Sequence, residues 1–308
     1  MDYITEEKQI YDNLEEEQYL KLIRDIIDNG SWEEGRNGKT KAIFGNMMRF
    51  SLKDGKIPIL TTKKTAWKTC LKELIWFIRG ETDNKLLTKQ GVHIWDANTT
   101  REFLDSRGLH IYPEGMIGPG YGYQWRNFGA SYNCFTGKPI QDADHPFNGV
   151  DQLQQIIDAL KDPKQRTSRR LIMTAWNPKQ NDKMALPPCH ILCQFNVHDG
   201  NKLSCSMYQR SNDEACGTSF NIASYSFLTH LLAKHCGLEA HEFVYFKGNC
   251  HIYEEHIDGL KLQITRKPYP FPSVSIKQVR ENINDYSVDD FILENYQHHE
   301  PIKFQMIA

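Results

Sequence analysis

Residues Leu186–Tyr225 read LPPCHILCQFNVHDGNKLSCSMYQRSNDEACGTSFNIASY. HILCQFNV and KLSCSMYQRS flank Asp199–Gly200, a pair suited to the tight turn of a β-hairpin. The chain then enters NIASYSFLTHLLAKHCG, which is apolar nearly throughout and long enough for a helix. A helix without a polar face belongs in the interior. The same forty residues hold Cys189 behind Pro187–Pro188, the pair Arg210–Ser211, then Asp213 and Asn221. A thiol nucleophile, a cation and hydroxyl suited to an anion, and a carboxylate and carboxamide able to hydrogen-bond a ligand are thus candidates within one stretch.

Bulk composition bounds the setting. The 308 residues are 40% hydrophobic and 25% charged, an ordinary globular balance. A net charge of −2 argues against a dedicated nucleic-acid surface, which needs a basic excess. No apolar run approaches 18 residues, so no membrane span is expected, and the acidic N-terminus lacks the apolar core of a signal peptide. The eight cysteines contain no CxxC pair. They are expected to be free thiols of a reducing compartment, the cytoplasm, and no metal site is expected.

Outward from the centre, residues 1–18 read as a flexible acidic lead-in and 19–308 as one domain. YLKLIRDIIDNG spaces Leu20, Ile23 and Ile26–Ile27 as a helix stopped by Gly30. Arg36, in the turn EEGRNG, reads on its own as a solvated loop residue. WKTCLKELIWFIRG is an apolar helix ending at Gly80, and its pattern puts Glu73 on the solvent face. Trp95 and Asn98 open another helix. GPGYGYQWRNFGASY suits a cavity-lining loop, and residues 132–149 suit a mobile surface loop. VDQLQQIIDALKDP is an amphipathic helix, Arg169 and Arg170 enter a strand, and PYPFPSVSI is a proline-punctuated edge strand. EFVYFKGNCHIYEEH reads as strand, turn and helix.

Taken together, TTKK…ELIWFIRG, HIWDAN, YGYQWRNFGA, SRR, AWNP, LPPCH, QRSND…FNIASY, GNCHIY…H and DFxLxxY resemble the folate-dependent thymidylate synthase family, in that order, from about residue 19 to the end. The resemblance implies an α+β fold with a large mixed sheet flanked by helices. It also implies an obligate homodimer, packed sheet against sheet. The implied reaction is reductive methylation of dUMP to dTMP, with 5,10-methylenetetrahydrofolate as one-carbon and hydride donor and no metal.

The residue types suit that chemistry. C5 of uracil is a weak nucleophile until a thiolate adds at C6 and turns it into an enolate carbon. Cys189 matches the family nucleophile, and Arg210 matches an arginine that favours its thiolate. Arg36 and Arg210 of one subunit, with Arg169 and Arg170 of the other and Ser211, match the 5′-phosphate site. This resemblance overrides the solvated reading of Arg36. Asn221 matches the residue that pairs with the N3–O4 edge of uracil, since a carboxamide both donates and accepts. His251 and Tyr253 match the contacts to the sugar 3′-hydroxyl. Glu73 matches the carboxylate that orders water and relays protons, Tyr121 a residue implicated in removing the C5 proton, and His190 a histidine of the polar network beside the thiol. On the folate side the matches are Asp213, which is also counted with the nucleotide site, and Lys63, Ile94, Trp95, Asn98, Gly217, Phe220, Met306 and Ala308.

Departures from the family pattern gather on the folate side. Met116, Gly120, Cys216, Ser219 and Asn249 replace an acid, a branched side chain, a leucine, a proline and an aspartate. GRNGKTK stands where DRTGTGT is usual, and the tail ends MIA. Smaller groups near the exocyclic methylene would admit water and give 5-hydroxymethyl-dUMP, as in the related viral hydroxymethylases. The retained Trp95 argues for the synthase. A third reading, an idle homologue that binds nucleotide or RNA, fits poorly with intact Cys189, Arg210, Asn221 and Asp213.

Overall fold

The computed structural model describes residues 13–35, 37–141 and 148–307. Arg36 and Ala308 lie outside these, as do most of the lead-in and the centre of the 132–149 loop. The described helices are α1 Leu14–Asn29, α2 Trp67–Ile78, α3 Lys85–Thr88, α4 Arg101–Ser106, α5 Gly122–Asn127, α6 Gln152–Lys161, α7 Gly217–His235 and α8 Ile257–Gln263. The strands are β1 Ser31–Gly35, β2 Gly38–Ser51, β3 Ile172–Thr174, β4 His190–His198, β5 Lys202–Asp213, β6 Glu239–Tyr253, β7 Ser273–Ile276 and β8 Phe291–Glu294. Six of them form one sheet in the order β1-β2-β6-β5-β4-β3, and β7 pairs with β8. Only β5 and β6 run parallel, so the large sheet is mixed. This is the expected α+β class. No described helix is long and apolar enough to cross a membrane.

The β4–β5 hairpin turns at Asp199–Gly200, both at positive φ as a tight turn requires. The chain then crosses through α7 to reach β6, which lies beside β5. Ile222, Phe227, Leu228, Leu231 and Leu232 of α7 are fully buried. Each contributes about 1.5–3 kcal/mol of apolar burial. β5 ends at Asp213 and α7 begins at Gly217, so the strand-to-helix turn presents its side chains at one end of the sheet.

Three local expectations change. The first helix begins at Leu14, not near Tyr19, because the Asn13 side chain caps it by accepting from the Glu16 amide at 3.2 Å. Glu16, placed in the flexible acidic lead-in, is buried and accepts from the amides and hydroxyls of both Thr61 and Thr62. It anchors α1 to the TTKK segment. The GN pair in GNCHIY is not a turn, because β6 runs unbroken from Glu239 to Tyr253. In the 132–149 segment, residues 132–139 close a tight turn through Asn133–Lys138 hydrogen bonding and a Tyr132–Pro139 bridge.

Candidate active site

The end of the sheet opens into a cavity of about 710 Å³. Cys189 stands in its wall because the PP dipeptide delivers it to the start of β4, opposite the end of β5. Its carbonyl accepts from the Arg210 amide at 2.9 Å, so thiol and guanidinium are held by one backbone bond. Arg210 spends Nε and Nη2 on the carbonyls of Pro188 and Pro187, at 2.8 and 3.0 Å. Nη2 also lies 3.8 Å from Cys189 Sγ.

The expectation that Arg210 favours the thiolate is met only in part. Burial pushes the Cys189 thiol above its ordinary value, while Arg210 and Tyr121 pull it back without cancelling burial. Tyr121 sits at φ 42°, a strained angle for a tyrosine, with its ring stacked 4.9 Å from Phe77 and lying tilted 4.4 Å from His190. Its hydroxyl accepts the Cys189 amide at 2.9 Å. Burial holds the His190 imidazole down to about 3, hence neutral, and its Nδ1 meets the Tyr225 hydroxyl at 2.8 Å.

Glu73 corrects the pattern reading directly. The residue does not face solvent but the cavity, where the Trp95 indole N–H donates to it at 2.8 Å. Burial raises its carboxyl to about 7, against the pull of that hydrogen bond. A carboxyl poised there exchanges a proton near neutral pH. Helical periodicity misassigned it because the cavity, not water, lies on that side of α2.

From α7, Gly217, Phe220 and Asn221 line the cavity, and β5 supplies Ser211 and Asp213. Burial opposes charge on Asp213, but the nearby His256 and the Ala215 amide more than offset it and hold the carboxyl below its usual range. His251 and Tyr253 enter from β6, with His251 Nδ1 on Asn249 Oδ1 at 2.9 Å. Ile94, Trp95, Asn98 and Met306 complete the far side. Asn98 is 5% exposed, and its Nδ2 has no partner among the described residues. The flanks of Arg36, Gly35 and Asn37, line the cavity too.

Some expected residues lie elsewhere. Lys63 is buried beneath the cavity with Nζ on the Ala215 carbonyl, and burial lowers it to about 8. Arg169 and Arg170 are exposed ahead of β3, away from the cavity of their own chain. Asn98 lies in a 3-10 turn, Ala97–Thr99, before α4. Of the five departures, only Cys216 and Asn249 line the cavity, while Met116, Gly120 and Ser219 pack behind it. Glu33, Arg107 and Gln209 line it without having been expected. Arg107 carried a signal, a basic residue in the turn closing the helix after HIWDAN, whereas Glu33 and Gln209 carried none.

A thiol, a guanidinium and a tuned carboxylate facing one cavity are the apparatus of nucleophilic enzymes. The family model described as thymidylate synthase matches residues 17–308, and the chain belongs to that family. It is 49% identical over 300 residues to the bifunctional dihydrofolate reductase-thymidylate synthase of Plasmodium berghei (strain Anka), covering 97% of this chain and 49% of that protein. It is 48% identical over 308 residues to a probable thymidylate synthase of Schizosaccharomyces pombe, covering 96% and 48%. With the thymidylate synthase of Equine herpesvirus 2 the identity is 47% over 292 residues, covering 94% and 98%. The chain thus spans about half the length of several of the relatives it matches.

Proposed function

We propose that this chain converts dUMP to dTMP, with 5,10-methylenetetrahydrofolate supplying both the one-carbon unit and the hydride. The observation that carries the reading is the placement of Cys189 Sγ, 3.8 Å from Arg210, in the same cavity as Asn221 and Glu73. Cys189 adds to C6 of the pyrimidine, and the electron pair moves to C5, which takes the methylene from the folate. As the C5 proton leaves toward Tyr121 and water, the methylene–nitrogen bond to the folate breaks, releasing tetrahydrofolate and leaving a methylene on the ring. Hydride from the folate completes the methyl group as the Cys189–C6 bond breaks, so dihydrofolate departs.

Asn221 reads the N3–O4 edge, and Glu73, titrating near 7, relays protons beside it. Ser211 and Arg210 hold the phosphate with Arg36, whose neighbours Gly35 and Asn37 line the cavity. His251 and Tyr253 take the sugar. The folate lies along Ile94, Trp95, Asn98, Asp213, Gly217, Phe220 and Met306, and the unpartnered Asn98 amide suits a polar ligand there.

A homodimer completes the phosphate site with Arg169 and Arg170 of the partner subunit. Met47 and Phe246, paired across β2 and β6 and both more than two-fifths exposed, support a sheet-to-sheet interface, as does the 82% exposed Phe44. Eight free thiols suit the cytoplasm. The test follows the folate spectrally during turnover with dUMP. Dihydrofolate formed in step with dTMP supports the synthase. Tetrahydrofolate with 5-hydroxymethyl-dUMP makes the chain a hydroxymethylase, and no turnover makes it a binding protein.

A further inference from the structure

At the floor of the cavity, three potential ligand atoms converge from two separate segments. Asp213 ends β5, Cys216 lies on the turn into α7, and His256 lies just past β6. One ligand atom from each lies within 4.8 Å of the others. His256 is 1% exposed, with Nε2 on the Gln305 carbonyl at 2.8 Å. Its Nδ1 has no hydrogen-bond partner among the described residues, and it faces Asp213 Oδ1 at 3.9 Å. That separation is too long for a hydrogen bond. A donated Nε2 proton leaves a lone pair on Nδ1, aimed at a carboxylate that also accepts and at the Cys216 thiol, which burial pushes up to about 12 and keeps protonated.

We propose that Asp213, Cys216 and His256 form a binding site for a divalent transition metal, Zn2+ above all. The mixture of thiolate, imidazole and carboxylate is a zinc donor set. Ligand atoms around tetrahedral zinc stand about 3.3–3.8 Å apart, so closing by up to about 1.5 Å completes three corners. Asp213 and Cys216 line the cavity, which leaves the fourth corner to water or to a ligand there. Outer contacts already hold the ligands. The Gln305 carbonyl fixes the His256 ring through Nε2, and the Ala215 amide holds Asp213 Oδ1 at 2.9 Å. Binding releases the Cys216 thiol proton to solvent.

Two features oppose the ion. Lys63 lies close by, with its ammonium on the Ala215 carbonyl. A proton on His256 Nδ1 is the competing occupant, since it alone balances Asp213. The proton accounts for the carboxylate and imidazole and leaves Cys216 as a protonated thiol against Asp213, whereas zinc takes all three as ligands. No CxxC or HxxxH spacing announced the set, because Cys216 and His256 are forty residues apart and meet only through the β5–α7–β6 crossover.

Titration of metal-free protein with Co2+ alone, followed by Zn2+, tests this. One Co2+ per chain is expected, with a thiolate-to-cobalt charge-transfer band that Zn2+ bleaches. Cys216→Leu should abolish the band and weaken Zn2+ binding at least tenfold, His256→Gln should weaken it similarly, and Cys189→Ser should keep both. Cys216→Ser repeats the test should the leucine variant not fold. No band in the wild-type protein overturns the site. So does a band that survives Cys216→Leu and vanishes with Cys189→Ser, since the ion then sits on the other thiol. Competition between Zn2+ and folate, but not dUMP, is the expected consequence. That consequence rests on the proposed function, whereas the cobalt and zinc titrations do not, so the two failures are distinguishable.

Discussion

The amide of Cys189 donates to the hydroxyl of Tyr121 at 2.9 Å, 68 residues earlier in the chain. This bond fixes the backbone that carries the thiol, and Tyr121 itself sits at positive φ with its ring packed against Phe77 and His190. Tyr121→Phe keeps the ring and removes the acceptor. The expected stability loss is on the order of 1 kcal/mol by urea unfolding, the cost of one unpaired amide. The expected fall in kcat is at least tenfold, because both proton removal and thiol placement suffer. A kcat within twofold of wild type would remove Tyr121 from the site.

Asn221 borders the cavity from the second turn of α7. Asn221→Asp should weaken dUMP turnover and bring dCMP into range, since a carboxyl complements the amino group at C4. One re-paired buried contact is worth on the order of 1–3 kcal/mol, roughly 5- to 150-fold in relative kcat/KM. The loss should fall on turnover, because the same bonds stabilise charge on the ring after Cys189 adds. An unchanged ratio between the two nucleotides would mean that Asn221 does not read the base.

Glu73 gives a prediction about pH. Its folded value, about 7, lies above the ordinary 4.5, so the folded state prefers the protonated carboxyl. Its stability contribution is therefore fully present below pH 4.5 and is lost as pH rises through 7. Relative to Glu73→Gln, which does not titrate, the wild-type protein should lose on the order of 3 kcal/mol between pH 4.5 and 7.5. Urea midpoints of both proteins across that range are the measurement. Parallel curves would place Glu73 in water after all.

The phosphate site shared between subunits is tested by mixing. Cys189→Ser and Arg170→Ala, each inactive alone, are exchanged into hybrid dimers. One site then carries both lesions and the other carries neither. Random exchange should restore about a quarter of wild-type activity. Persistent inactivity after proven exchange would place Arg170 outside the phosphate site.

How much was legible depended on what each residue answers to. The hairpin at Asp199–Gly200 and the buried α7 follow from local rules, turn chemistry and an unbroken apolar run, and both stand where expected. Glu73 was misread because periodicity distinguishes a polar face from an apolar one but not water from a polar interior, and Glu16 because an acidic lead-in reads as unstructured from composition alone. Two threonines satisfy Glu16, and a tryptophan across the cavity satisfies Glu73. Lys63 matched a motif, yet its ammonium turns down to a carbonyl beneath the cavity. His256 closed the motif GNCHIY…H but was given no role, since its neighbours come from the end of β5 and the C-terminal tail. Motif order identified the cavity's chemistry, while depth and direction of single side chains came only with the fold.

The central claim is that Cys189 attacks the pyrimidine. The most direct measurement compares dihydrofolate formation by wild-type protein and Cys189→Ser, with dUMP and methylenetetrahydrofolate saturating, alongside dUMP binding. The serine variant should bind dUMP near normally while turnover falls by several orders of magnitude, because an unactivated hydroxyl is a poor nucleophile. More than a few per cent of wild-type activity in that variant would contradict covalent catalysis at Cys189.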